Sequence, residues 1–169
     1  MISLAEAVKL KSILHTKFRE LFQERRRAAF VTIEKGATPV SNGRSVAQVE
    51  KELDDVRKDI RTLDRLVYEA NINNTVNFLG EELTLVEAIE YAKQIRYEAD
   101  EVKDLSYSEK EEIQMGYGDR ISVVRVALFE PESYRIKADE YERLAHKLSN
   151  LINAKNYQVQ IDFNDSKYM

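Results

Sequence analysis

At 169 residues the chain is the size of one domain, and 43% hydrophobic residues are enough to bury a core. Charged residues make up 33% against five Gly and two Pro, a profile of long helices that excludes a disordered or loop-rich chain, and the net charge of -4 gives no reason to expect general nucleic-acid or membrane binding. The absence of cysteine excludes a disulfide framework, a thiolate nucleophile and a cysteine-based metal site.

The small net charge hides an asymmetry. Residues 1 to 35 carry eight Lys or Arg against four acids, and residues 81 to 112 carry eleven acids against four basic residues. A basic first helix is therefore expected to lie near, or to recruit, an acidic third one. Residues 1 to 14 contain Glu6, Lys9 and Lys11 and lack the apolar core and small-residue cleavage site of a secretion signal. No stretch approaches the ~20 apolar residues needed to span a bilayer. The expected location is the cytoplasm.

In chain order, the first helix is expected to begin at Ser3, with Glu6 reaching back to complete a capping box, and to run to about Ile33. Its apolar positions, from Leu4, Ala7 and Val8 to Phe18, Leu21 and Phe22, form a stripe wide enough for two neighbours. The segment containing Gly36, Pro39, Asn42 and Gly43 then turns the chain. A second capping box, Ser45 with Gln48, opens the second helix. Here Val46, Val49, Leu53, Val56, Ile60, Leu63, Val67 and Ala70 recur at alternating steps of three and four, the narrow seam of helices paired side by side. A short connection makes the two long helices antiparallel neighbours. Lys11 and Arg25 interrupt the seam of the first helix, so the contact there is expected to break or to reach solvent.

The Asn-rich run 71 to 83 is expected to stop the second helix and to hold an extended piece around Val76 and Phe78, with a turn at Gly80. Thr84 with Glu87 caps a third helix that fades near Asp104, and Ser108 with Glu111 is expected to start one or two more helical turns. The β-branched run Ile121 to Phe129 reads as a buried strand. Pro131 opens a fourth helix lasting to about Asn156, and Val159, Ile161 and Phe163 alternate as a half-buried strand. The expected class is mainly α: one domain over residues 1 to 169, built as a long antiparallel, coiled-coil-like hairpin (3 to 71), helices at 84 to 104 and 131 to 155, and strands at 121 to 128 and 158 to 163. These strands and the piece at 76 to 78 are expected to form one small antiparallel sheet at an end of the bundle.

Several landmarks recur in an order seen elsewhere: Gly36 and Pro39 in the hairpin loop, Asn71, Asn73 and Asn74 after the seam, Gly80 with Leu83 and Thr84 before Glu87 and Ala88, and Asn156 with Tyr157 before the last strand. This pattern resembles the septicolysin-like family of small helical proteins of unknown function, found in bacteria and their phages, with Tyr157 where that family usually has Trp. The resemblance implies a helical hairpin fold without an assigned activity. The haemolysin hinted at by the family name is not expected, given the lack of a secretion signal and of a membrane-length apolar segment.

Candidate chemistry is sparse. Glu142 and His146 sit one turn apart on the fourth helix, but two ligands do not make a metal site and the Glu-x-x-His repeat of helical di-iron proteins is absent. Arg25, Arg26 and Arg27 cluster beside Arg19, yet consecutive residues fan around a helix rather than line one groove. The run MGYGDR, residues 115 to 120, precedes a strand, whereas a dinucleotide loop follows one, so it reads as a turn. No nucleophile elbow marks a catalytic triad. Asn71, Asn73 and Asn74 read first as a helix cap, with Asn tolerated in the left-handed conformation, and second as buried bridges between backbone groups.

The leading expectation is a non-enzymatic, oligomeric helical protein acting as a protein-interaction or structural module, without a cofactor or a metal. The expected partner is a second copy of the chain, through the helix seams; membrane and nucleic acid are not expected partners. The alternative is a small-ligand or nucleotide-binding or sequestering protein of phage derivation, with an anionic ligand held between subunits. The binding residues in that case are Arg25, Arg26, Arg27, Asn71, Asn73, Asn74, Asn156 and Tyr157.

Overall fold

Three helices begin where the sequence places their caps. Ser3, Ser45 and Thr84 each accept the amide three residues on, while Glu6, Gln48 and Glu87 return a bond to the cap backbone. Each reciprocal pair satisfies amides that the first turn leaves without an intrahelical partner. The structure, a computed structural model, describes residues 1 to 41, 43 to 114 and 123 to 168. Asn42, the MGYGDR turn and the first two residues of the expected strand 121 to 128 lie outside the described residues. The protein is mainly α-helical with small antiparallel two-stranded sheets. Among the described residues no helix is long and apolar enough to cross a membrane.

Where one domain was expected, the chain divides into two compact units, Met1–Asn74 with Ala154–Met169, and Thr75–Asn153. The first is the hairpin of α1 (Leu4–Ala28) and α2 (Val46–Asn73). Its ion pairs give the direction: Lys11 meets Asp64 and Lys17 meets Glu52, each at 2.7 Å, and Arg25 approaches Glu50 at 3.9 Å. One number rises as the other falls, which is the register of antiparallel helices. Of the eight seam positions, Val49, Leu53, Val56, Leu63 and Val67 are buried and Val46, Ile60 and Ala70 are half-buried. Leu21 packs on Val49, Leu53 and Val56, flanked by Phe18, Phe22, Ile60 and Tyr168. Each fully buried aliphatic side chain of this kind contributes about 1.5–3 kcal/mol. Lys11 and Arg25, expected to interrupt the contact, are accommodated at its edge: the Lys11 ammonium sits 5.4 Å from the Tyr68 ring centre, and the Arg25 guanidinium 4.8 Å from that of Phe22. Near the C-terminus Tyr168 reaches back and donates a hydrogen bond to Asp59 at 2.5 Å.

Both hairpin helices end differently from expectation. α1 stops at Ala28 rather than about Ile33, since Phe30, Val31 and Ile33 are exposed and β-branched or aromatic residues gain little from a helix that packs on nothing. α2 runs through the Asn-rich segment to Asn73. The first unit is completed by the pairing of β1 (Ile2–Ser3) with β6 (Gln160–Ile161).

In the second unit β2 (Thr75–Phe78) and β3 (Glu81–Thr84) form a hairpin closed by Leu79 and Gly80, both at positive φ (55° and 87°). That is the geometry of the two-residue turn whose twist matches the strands. α3 (Leu85–Ser106) follows directly from the Thr84 cap. The expected helical turns after Ser108 are replaced by β4 (Glu111–Gln114), which pairs with β5 (Val123–Val126). The segment from Glu109 to Gln114 carries one aliphatic side chain, Ile113, so a helix there would have had no apolar stripe to bury. α4 (Pro131–Gln158) is tied antiparallel to α3 by Lys103 with Glu142 at 2.9 Å and Arg96 with Ser149. Its last turn extends into what was expected to be strand 158 to 163, leaving two residues in the ladder. Where one sheet was expected, the described residues form three separate two-stranded sheets, because each short strand is taken up by a partner close at hand or, for β6, by the N-terminus.

Candidate functional site

Within one chain the residues named from the sequence lie at different places. Arg25 is half-buried against Phe22 and Glu50, while Arg26 and Arg27 are exposed at the last turn of α1. Arg27 borders a cleft of about 260 Å³ with Phe30, Val31 and Pro39. Asn71, Asn73 and Asn74 belong to the other end of the antiparallel hairpin. Asn71 is half-buried within α2, Asn73 is its last residue, and Asn74 is its cap in an extended conformation (φ -121°, ψ 143°) instead of the left-handed one expected. The Asn74 side-chain amide donates to the Ala70 carbonyl at 2.9 Å, which supplies the bond that a left-handed residue would have made through its backbone. Asn73 and Asn74 border a shallow cavity of about 210 Å³ with Gln160 and Asp162. Asn156 and Tyr157 lie in the last turn of α4, where Asn156 Oδ1 is buried without a hydrogen-bond donor and Tyr157 is exposed.

The acids with resolved shifts are structural. The Ser3 hydroxyl holds the Glu6 carboxyl below its usual range, Thr84 does the same for Glu87, Lys17 for Glu52 and Lys103 for Glu142. The Glu142–His146 pair is accordingly divided, with Glu142 given to Lys103 and His146 exposed. Among the described residues no group of three or more His, Cys, Asp or Glu is gathered to hold a metal ion.

The surface that stands out is the β4–β5 ribbon. Directly opposed residues in an antiparallel pair share a face. The register Glu111 with Val126 and Ile113 with Val124 therefore puts Ile113, Val124 and Val126 on one side, with Glu111 at its edge, while Glu112 with Arg125 and Gln114 with Val123 take the other. The apolar side is uncovered: Ile113 is 79% exposed, Val124 44% and Val126 48%. This corrects the expectation of a buried strand over 121 to 128 for its described residues, 123 to 128. A short Val-rich run signals burial only if a second layer packs on it, and β5 is paired instead with a strand carrying Glu111 and Glu112. An isolated two-stranded ribbon is at best marginally stable in water. The signal that could have placed it at the surface was the acidic run preceding Gln114, which no core strand would tolerate.

At the root of the ribbon a cavity of about 560 Å³ opens beside the end of α3. Leu105, Tyr107, Val126 and Leu128 give it exposed apolar walls, and Asp104 and Glu109 line its edge. Glu112 is engaged by Arg125 at 3.6 Å.

No family model matches the chain, and no curated protein matches it. The crystal structure of a functionally unknown conserved protein from Corynebacterium diphtheriae is similar, with a TM-score of 0.62 at 22% identity over 95% of this chain and 99% of that one. At that identity the likeness establishes a common fold.

Proposed function

We propose that the chain is a non-enzymatic, self-associating helical module of the cytoplasm that serves protein interaction or a structural role. The observation that carries this reading is the exposed apolar face of the β4–β5 ribbon, three β-branched side chains that no second layer among the described residues covers. Such a face is costly to leave in water and is the kind of surface a partner covers. The α2 seam is buried or half-buried within the chain, so the ribbon face is the surface offered here for self-association. Membership of the septicolysin-like family is part of the same reading, supported by the order of the loop, cap and Asn landmarks from Gly36 to Tyr157.

Light scattering over a range of concentrations tests it. The wild-type chain is expected to be a dimer or larger, and Ile113→Lys with Val124→Lys to lower the mass while leaving the helical circular dichroism unchanged. A wild-type mass of one chain at every concentration overturns self-association. A melting temperature raised by nucleotides, in the same preparation, would favour the anionic-ligand alternative.

A further inference from the structure

Resting on that self-association, we infer that the cavity at the root of the β4–β5 ribbon receives the basic end of α1 from a second copy of the chain. The cavity joins exposed apolar walls, Leu105, Tyr107, Val126 and Leu128, to Asp104 and Glu109, two acids that make no ion pair among the described residues. It also lies against the C-terminal end of α3, the negative pole of the helix dipole, which favours a cation. The complementary surface is at the C-terminal end of α1. Arg26 and Arg27 are exposed and make no ion pair among the described residues, whereas Lys11, Lys17 and Arg25 of the same helix are paired with α2. Two residues beyond the helix end stands Phe30, 86% exposed, followed by exposed Val31. Two cations followed by an aromatic and an aliphatic side chain match two acids beside apolar walls. The charge bias of the sequence, basic over residues 1 to 35 and acidic over 81 to 112, is then read between copies.

The contact is heterologous: each copy offers one basic end and one acidic cavity. It is tested by charge reversal in the full chain, followed by light scattering and sedimentation. Arg26→Glu with Arg27→Glu, and separately Asp104→Lys with Glu109→Lys, are each expected to weaken association by about tenfold or more, because like charges then face each other. An equimolar mixture of the two variants restores association, since each supplies the surface that complements the other, and the chain carrying all four changes associates by itself. Wild-type association is expected to weaken with added salt.

Variants that associate like the wild type, or whose mixture fails to recover, overturn the docking while leaving self-association in place. A wild-type chain that is monomeric throughout overturns both. All four positions are on the surface, and an unchanged thermal melt separates lost docking from lost folding.

Discussion

The α1–α2 seam and the β4–β5 ribbon are written in the same letters and end in opposite environments. The seam is built of Val, Leu, Ile and Ala, and the ribbon carries Ile113, Val123, Val124 and Val126. In the hairpin, Val49, Leu53 and Val56 meet Leu21 and two Phe rings across a gap that the facing helix fills. In the ribbon, Ile113, Val124 and Val126 share a face that is left exposed. Apolar spacing tells which side chains look the same way; whether they are covered depends on what the rest of the chain brings opposite them. That difference makes the hairpin a scaffold and the ribbon a surface.

Truncating one side chain in each region separates the two environments most strongly. Leu53→Ala is expected to cost about 2–5 kcal/mol, as for a filled core site, and Val124→Ala less than about 0.5 kcal/mol in the dilute chain, as for a surface site. Urea midpoints of the two variants decide it. Equal losses would mean that the ribbon face is covered in the single chain, and the contrast would be lost.

A smaller effect, of opposite sign, is expected at the other hairpin. Leu79 holds φ 55° in the β2–β3 turn, a conformation that Leu pays for and Asn tolerates. Leu79→Asn is expected to raise stability by about 1 kcal/mol, readable as a higher melting temperature, and a lower one would show that the exposed Leu79 side chain has a packing role.

Acid should produce the smallest change. Glu6, Glu52 and Glu87 have their carboxyls held below the ordinary value of 4.5 by hydrogen bonds from Ser3, Lys17 and Thr84, so the folded chain binds fewer protons than the unfolded one near that pH. Their contribution is complete above 4.5 and is lost as the pH falls through the lowered values. The denaturant midpoint should be level above that point and decline below it, less steeply in Glu87→Gln, which keeps the cap without the charge. A midpoint that rises on acidification would contradict the assignment of these carboxylates.

The candidate site was far less legible than the fold. Arg25 to Arg27 and the Asn residues from 71 to 74 are conspicuous in the sequence, but antiparallel packing sends them to opposite ends of the hairpin, and Asn74 is used up in capping Ala70. The cavity beside the ribbon draws on the end of α3, β5 and the segment after it. No local motif joins those pieces, and a search for ligand-binding motifs passes over them.

The Ser-or-Thr-x-x-Glu-or-Gln pattern occurs at Ser3, Ser45, Thr84, Ser106 and Ser108, and the first three start helices, while Ser106 ends one and Ser108 precedes a strand. A cap is a bond between residues three apart, so the sequence determines it wherever an apolar stripe follows to hold the helix down; the starts at Leu4, Val46 and Leu85, and the heptad seam, are of this kind. Tertiary structure decided the rest: where α1 ends, which short strands pair, how the chain divides into two units, and which Val-rich stretch meets water. Those outcomes rest on contacts between residues far apart in the chain, whose burial is set by the partner and not by the segment itself.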